Sequence, residues 1–158
     1  MNQNLTKEDE RRLLFVEYCK YMRQFDENFT KSDADSVSYF REQICNPFIE
    51  WIDITCENKI VGFMIIGHGI ECHRNADYFI MNVYVKPEYQ SRGLMTQKLK
   101  EYFREHSGVY CLDVLKNNFK ALAFWNNLFK GYKQIKLKDY RKMTSDIYLF
   151  GYKVKEAR

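Results

Sequence analysis

Proline is nearly missing from this chain. Pro47 and Pro87 are the only two in 158 residues, and glycine occurs seven times. Collagen-like and low-complexity architectures are thereby excluded. No linker or internal repeat divides the chain, so one domain over residues 1–158 is expected. The five cysteines, Cys19, Cys45, Cys56, Cys72 and Cys111, contain no C-x-x-C pair. An odd count without paired spacing reads as reduced thiols, not a disulfide framework. Cys72 and His73 are adjacent, but no ligand cluster accompanies them, so no metal is expected. No apolar run reaches the about 20 residues of a membrane span. The start, "MNQNLTKEDERR", lacks the apolar segment of a secretory signal, and a cytoplasmic protein is expected. The formal net charge of +4 is too mild to imply a nucleic-acid partner by itself.

What the chain does have is 46% hydrophobic residues and 16% aromatics, enough for a packed core. Thr6 and Asp9 read as a capping box opening a helix over 7–27, with Leu14, Tyr18, Met22 and Phe25 at helical spacing. "FTKSDADS" breaks it. "VSYFREQI" is a second helix, closed by Asn46-Pro47 because the residue before proline avoids the helical region. "FIEWIDIT", "IVGFMIIGHGI" and "YFIMNVYV" read as strands. A helix over 94–106, the strand "VYCLDVL" and a helix over 118–130 follow, and Gly131 caps the last. "YKQIKLKDY" and "SDIYLFGYKV" close the chain as strands. The order α-α-β-β-β-α-β-α-β-β predicts an α/β (α+β) fold: a mixed sheet with helices on its faces.

The other proline opens the stretch that asks for a function, "VKPEYQSRGLMTQKLKEYF" over 85–103. A strand ends at Val85, and a helix starts near Leu94. Between them lie Gln90, Ser91, Arg92 and Gly93. A helix N-terminus presents unpaired backbone N–H groups and a partial positive charge. A glycine there admits an anion to the backbone, and an arginine adds a cation suited to phosphate. The loop thus has the parts of a pyrophosphate cradle. It lacks the Gly-Lys-Ser/Thr of a nucleotide P-loop and the three glycines of a dinucleotide fingerprint.

"VYVKPEYQSRGLM" resembles the main signature of the GNAT superfamily of acetyl-CoA-dependent N-acetyltransferases: a strand ending V-x-P, then Q/R-x-x-G-x-G/A. "LDVLKNNFKALAFWNNLFKGYKQI" is similar to the family's second block, through Val114, Asn118, Ala121, Phe124, Trp125, Gly131 and Tyr132. "NKIVGFMIIG" resembles its usual second hairpin. The resemblance covers roughly residues 50–135. It implies a mostly antiparallel twisted sheet that splays after the signature strand, with helices on both faces. It implies acetyl-CoA as cosubstrate and an amine-bearing acceptor, either a small molecule or a protein N-terminus or lysine. It admits a homodimer. The pantetheine arm would pair with Val83, Tyr84 and Val85. The pyrophosphate would sit on the backbone from Ser91 to Thr96, so that Gln90, Ser91, Arg92, Gly93, Leu94, Met95 and Thr96 form the phosphate site. Asn118 would position the pantetheine, and Trp125 would pack at the sulfur end. Four departures stand out. Met95 replaces the final small residue of the signature. Trp125 replaces a tyrosine that is often the general acid, and the interval to Gly131 is longer. The family's usual first strand is not evident.

Acetyl transfer needs a proton acceptor for the amine, aligned reactants and donors for the oxyanion. A backbone N–H near Val85 would serve the oxyanion. Asp113, on the strand across the split, is the first candidate base, ahead of Glu71 and Asp77. Asn82 is placed to orient substrate or water. Tyr132, Tyr84 and Tyr110 are candidates for the acid, with Tyr132 put forward. His68 and His106 read as structural. The expected function is an N-acetyltransferase working by direct attack in a ternary complex. The alternative is a non-catalytic acyl-CoA-binding sensor or partner protein, motivated by Trp125 and Met95. The basic run "YKQIKLKDYRK" has the composition of an RNA-binding surface, but no nucleic-acid motif accompanies it, and nucleic acid is not the expected partner.

Overall fold

The computed structural model describes residues 5–137 and 146–156. Two helices lead: α1, Lys7–Met22, and α2, Asp33–Cys45. Three strands follow: β1, Ile49–Cys56; β2, Lys59–His68; and β3, Tyr78–Val85. Then come α3, Leu94–Glu105; β4, Gly108–Leu115; α4, Phe119–Leu128; β5, Lys133–Gln134; and β6, Ile147–Val154. The strands form one six-stranded sheet in the order β1-β2-β3-β4-β6-β5. Every neighbouring pair is antiparallel except β3 and β4. Among the described residues no helix is long and apolar enough to cross a membrane.

The element order follows the pattern expected from the sequence, and the boundaries differ for local reasons. The Thr6–Asp9 capping box is present: the Asp9 N–H donates to Thr6 Oγ1 at 3.1 Å, and the Thr6 N–H donates to Asp9 Oδ2 at 3.2 Å. The first helix stops at Met22, short of 27. Asp26 turns its carboxylate onto the Asn28 N–H at 3.0 Å, a turn that competes with helix. The second helix starts earlier than expected, at Asp33, because Ser32 is an N-cap whose hydroxyl accepts the Asp35 N–H at 3.1 Å. Asp33 and Asp35 then favour the positive end of the helix. The expected strand over 132–140 is two residues long, and its end beyond 137 lies outside the described residues. No described strand precedes α1.

Alternation in β2 divides the core. Phe63 and Ile65 face α1 and α2, packing with Leu14, Phe15, Tyr18 and Phe40. Met64 and Ile66 face the opposite way, toward Leu99, Phe103, Trp125 and Phe129 of α3, α4 and the turn that follows. Helices therefore cover both faces. In β3 this alternation is interrupted. Ile65 pairs with Asn82 and Ile66 with Ile80, so Met81 is an extra residue. The bulge puts Asn82 and Tyr84 on the α1 face while Ile80 stays on the α3 face.

One polar clamp fastens α1 to the sheet edge. Arg11 donates through Nε to Asp53 Oδ1 at 2.9 Å and through Nη2 to Oδ2 at 2.7 Å, and Trp51 Nε1 donates to Oδ1 at 2.8 Å. Burial alone would raise the Asp53 pKa, but the hydrogen bonds from Arg11 and Trp51 outweigh it and hold the carboxyl below its ordinary value. A carboxyl depressed by folding stabilises the protein above its unfolded pKa of about 3.9, and that stability is lost as pH falls through the folded value. Asp53→Asn is expected to lower stability by about 1 kcal/mol at neutral pH. It should also flatten the fall in stability below about pH 4, as read by urea denaturation at a series of pH values.

Candidate functional site

The parallel contact between β3 and β4 consists of two residue pairs, Tyr78 with Tyr110 and Phe79 with Cys111. Both strands continue, β3 against β2 as far as Val85 and β4 against β6 as far as Leu115. From Ile80 onward they bear no rung to each other. The sheet opens like a wedge, and a cleft of about 540 Å³ runs through the opening. Its walls are Ile80 to Val85 on one side and Leu112 to Leu115 on the other. The closed end is fixed by Asp77: its N–H donates to the Val109 carbonyl, and its Oδ2 accepts the Val109 N–H, each at 2.8 Å.

The wedge leads to the start of α3. A short 3-10 turn at Pro87–Tyr89 carries the chain off β3. Ser91 and Gly93 then adopt left-handed φ values of 64° and 75°. Gly93 is the N-cap of α3, and no side chain caps that end. The first-turn N–H groups are therefore available to a ligand. A Cβ added at Gly93 would meet nothing within 4 Å, so the space in front of the helix is open. Gln90 braces the loop, its Nε2 donating to the Val85 carbonyl at 2.8 Å. Lys120 Nζ donates to Gln90 Oε1 at 2.7 Å, which brings a cation from α4 to this mouth. Arg92, by contrast, does not line the cleft. It reaches back to the Glu88 carbonyl at 3.2 Å and lies over the Tyr89 ring. Met95 lines the cleft and also packs against the Ile54, Val61 and Val85 cluster.

On the α4 side, Asn118 accepts the Ala121 N–H at 3.2 Å and so caps that helix from within the cleft wall. Trp125 is buried and stacks on Phe129 at 6.1 Å. Its place is a packing position at the cleft floor. The α1 side is polar and aromatic. Tyr18, buried in the wall, donates its hydroxyl to Asn82 Oδ1 at 2.6 Å. Burial first, and then neighbours including Tyr39 and Asp113, pushes the Tyr18 pKa well up. Burial, with Glu17 next, also raises Tyr84. The Tyr18 phenol thus stays protonated and acts as a donor. Asp113 is exposed on β4 between Leu112 and Val114, which are buried with α3 and α4. Alternation turns it to the α1 side of the wedge. Asp26 and Phe29, beyond α1, complete that wall.

The cleft therefore gathers most of the residues singled out in the sequence: Val83, Tyr84, Val85, Gln90, Ser91, Gly93, Leu94, Met95, Thr96, Asn118, Trp125, Asn82 and Asp113. Arg92 and Tyr132 are not brought to it. Tyr132 packs edge-on against Phe103 and Phe129, toward the C-terminal end of α3. Tyr110 is fully buried and donates to the His106 carbonyl at 2.6 Å. Of the lesser base candidates, Asp77 is committed to the hinge, and Glu71 accepts from Asn46 Nδ2 at 3.1 Å. His68 lies 3.3 Å from Glu50, and His106 caps α3 against the Tyr102 carbonyl. Sequence reasoning missed Lys120 and the wall formed by Tyr21, Asp26 and Phe29. Neither carried a motif, because chain folding alone makes them neighbours of the wedge. Among the described residues no group of three or more His, Cys, Asp or Glu side chains is placed to hold a metal ion.

Comparison with known proteins places this geometry. The model of the acetyltransferase (GNAT) family matches residues 14–129. A search of curated protein sequences finds no match. Among solved structures, an acetyltransferase from Thermus thermophilus is similar with a TM-score of 0.66 at 18% identity, covering 94% of this chain and 91% of that one. PaiA N-acetyltransferase from Thermoplasma acidophilum, in complex with coenzyme A, aligns with a TM-score of 0.60 at 16% identity over 96% of both chains. The ribosomal-protein-S18-alanine N-acetyltransferase from Escherichia coli aligns with a TM-score of 0.56 at 17% identity, over 99% of this chain and 94% of that one. The structural likenesses share the fold at low identity, while the family match spans the wedge, the uncapped helix and α4 together. On that match this chain belongs to the acetyltransferase (GNAT) family.

Proposed function

We propose that this chain is an N-acetyltransferase that moves the acetyl group of acetyl-CoA to a primary amine by direct attack within a ternary complex. One observation carries the reading: the unpaired edge of β3 leads directly to the uncapped N-terminus of α3. The edge suits the amide-bearing pantetheine arm as an added strand. The helix start suits a pyrophosphate, with Lys120 as the nearby cation. Acetyl-CoA supplies an activated acyl group: as the new C–N bond forms, the thioester C–S bond breaks and CoA leaves as a thiolate that takes a proton from solvent, while the chain supplies position and accepts the amine proton. Asp113, on the α1 side, accepts the proton of the attacking amine. Asn82, its amide held by Tyr18, orients the acceptor. A backbone N–H of the open edge near Val85 stabilises the oxyanion.

The second reading is acyl-CoA binding without turnover. It is favoured by Trp125, which packs into the core where an acid would be needed, and by the placement of Tyr132 away from the cleft. A thermal-shift titration with acetyl-CoA, run beside thiol release on an amine panel, separates the two. Stabilisation with turnover supports transfer. Stabilisation without turnover on any amine supports the second reading, and no stabilisation removes both.

Gly93→Val is expected to weaken acetyl-CoA binding at least tenfold by calorimetry, because a branched side chain fills the open space and resists the left-handed backbone. An unchanged dissociation constant would reduce the loop to a connection. Lys120→Ala should weaken binding more than Arg92→Ala does, since only Lys120 reaches the cleft wall. Equal losses in the same titration would show that the mouth is not where the phosphates sit. Asp113→Asn should leave acetyl-CoA affinity near wild type while lowering turnover by about 10²-fold. Turnover within about threefold of wild type would remove Asp113 from the role of base.

A further inference from the structure

A second groove lies at the other end of α3, and its charge is one-sided. Lys100 and Arg104 of α3, Lys130 after α4, Lys133 of β5, Lys153 of β6 and Lys155 just beyond it surround a floor that includes Phe103 and Tyr132. All six cations are exposed, and among the described residues no acidic side chain lines the groove. Among the described residues none of the six forms an ion pair or a side-chain hydrogen bond.

Local roles account for part of this. Arg104 lies in the last turn of α3 and Lys130 just beyond α4, where a cation offsets the helix dipole. A lysine on the edge strand β5 discourages pairing with other chains. Neither role accounts for the register of the last two strands. Lys133 sits directly opposite Lys153, and like charges so placed repel. Lys155 then adds a third charge at the same end. An arrangement held against its own repulsion, with no counter-charge from the described residues of the groove, is completed by an anion from outside.

The residue types narrow the anion. Five of the six cations are lysines, compact point charges that suit phosphates in any orientation. Paired recognition of carboxylates favours the arginine fork. Tyr132 is half-buried, supported edge-on by Phe103 at 6.1 Å and Phe129 at 5.5 Å, which leaves a held aromatic ring at the groove floor. Lysines following a track with an aromatic platform are the parts of a single-strand binding surface. We propose that this groove binds the phosphate backbone of a single-stranded nucleic acid, with Tyr132 as a surface for base stacking. Arg104 is ten residues from Leu94, about 15 Å along α3, so the groove and the cleft can be occupied together. The proposal does not depend on acetyl transfer.

The test is fluorescence anisotropy of the full chain with a labelled single-stranded RNA of about a dozen nucleotides, over about 50 to 200 mM salt. Binding should weaken with salt along a log–log slope of about −0.7 for each phosphate neutralised, about −3 or steeper here. Lys133→Glu should lower affinity at least tenfold and make the slope shallower. The same change turns a repulsive cross-strand pair into an attractive one, so the thermal midpoint should stay level or rise. Lys153→Gln should lower affinity in the same direction. Wild-type protein that leaves the RNA free at about 50 mM salt would overturn the proposal. So would Lys133→Glu binding as tightly as wild type. Polyglutamate that binds the groove more tightly than the RNA would also overturn it and assign the surface to an acidic protein.

Discussion

The brief parallel contact between β3 and β4 is the constraint on which the rest depends. Buried backbone N–H and C=O groups must find partners, and leaving one unmet costs about 1–3 kcal/mol. A sheet that opens after two rungs leaves an edge that must be solvated or matched by something strand-like. The Met81 bulge supports the opening. It turns Asn82 toward Tyr18 on one face while Ile80 stays in the core on the other. Polar groups thereby reach the wedge on the α1 side, while Ile80, Leu112 and Val114 keep the strands' opposite face apolar. The helix that follows starts at the wide end of the same wedge, with its first turn uncapped.

The loop from Pro87 to Gly93 was legible in the sequence because its chemistry is local. Proline ends the strand, and glycine takes a left-handed turn that most residues resist. The same holds for the buried stripes of α3 and α4. The Met81 bulge was not legible, because a strand's own pattern does not say which residue its neighbour skips. Arg92 and Lys120 show the second limit. Arg92 is adjacent to Gly93 in sequence yet stacks on Tyr89, while Lys120, from the next helix, arrives at the mouth. Tyr132 shows the third. Its distance from the wedge is set by the turn through Gly131 and by packing on Phe129, neither of which spacing along the chain reveals.

Charge is distributed by region in this molecule. The α1 side of the wedge carries Asp26 and Asp113, and its mouth carries Lys120. The groove at the far end of α3 is lined by lysines and one arginine, with no acid among its described residues. A net charge of +4 conceals this, because sums over a sequence cancel what folding separates. The first helix and the turn that follows it contribute walls only on the α1 side. Changes there alter the shape and polarity of that side while leaving the loop and α3 as they are.

The hinge at the closed end of the wedge makes the cleft a lever. Asp77 grips Val109 through both its backbone and its carboxylate, and Gly108 beside it holds a φ of 147°. A Cβ at Gly108 would come within 2.7 Å of Asp77 Oδ2, so the joint has no slack. From the last rung at Phe79, β3 runs six residues to Val85, about 20 Å of arm. A rotation of about 5° at the joint moves the mouth by about 1.7 Å over that arm. Displacements of that size are felt strongly wherever reacting groups must be aligned. The width of the mouth thus depends on residues at the closed end, and substitutions at Asp77 or Gly108 are expected to change it without altering a residue that lines the cleft.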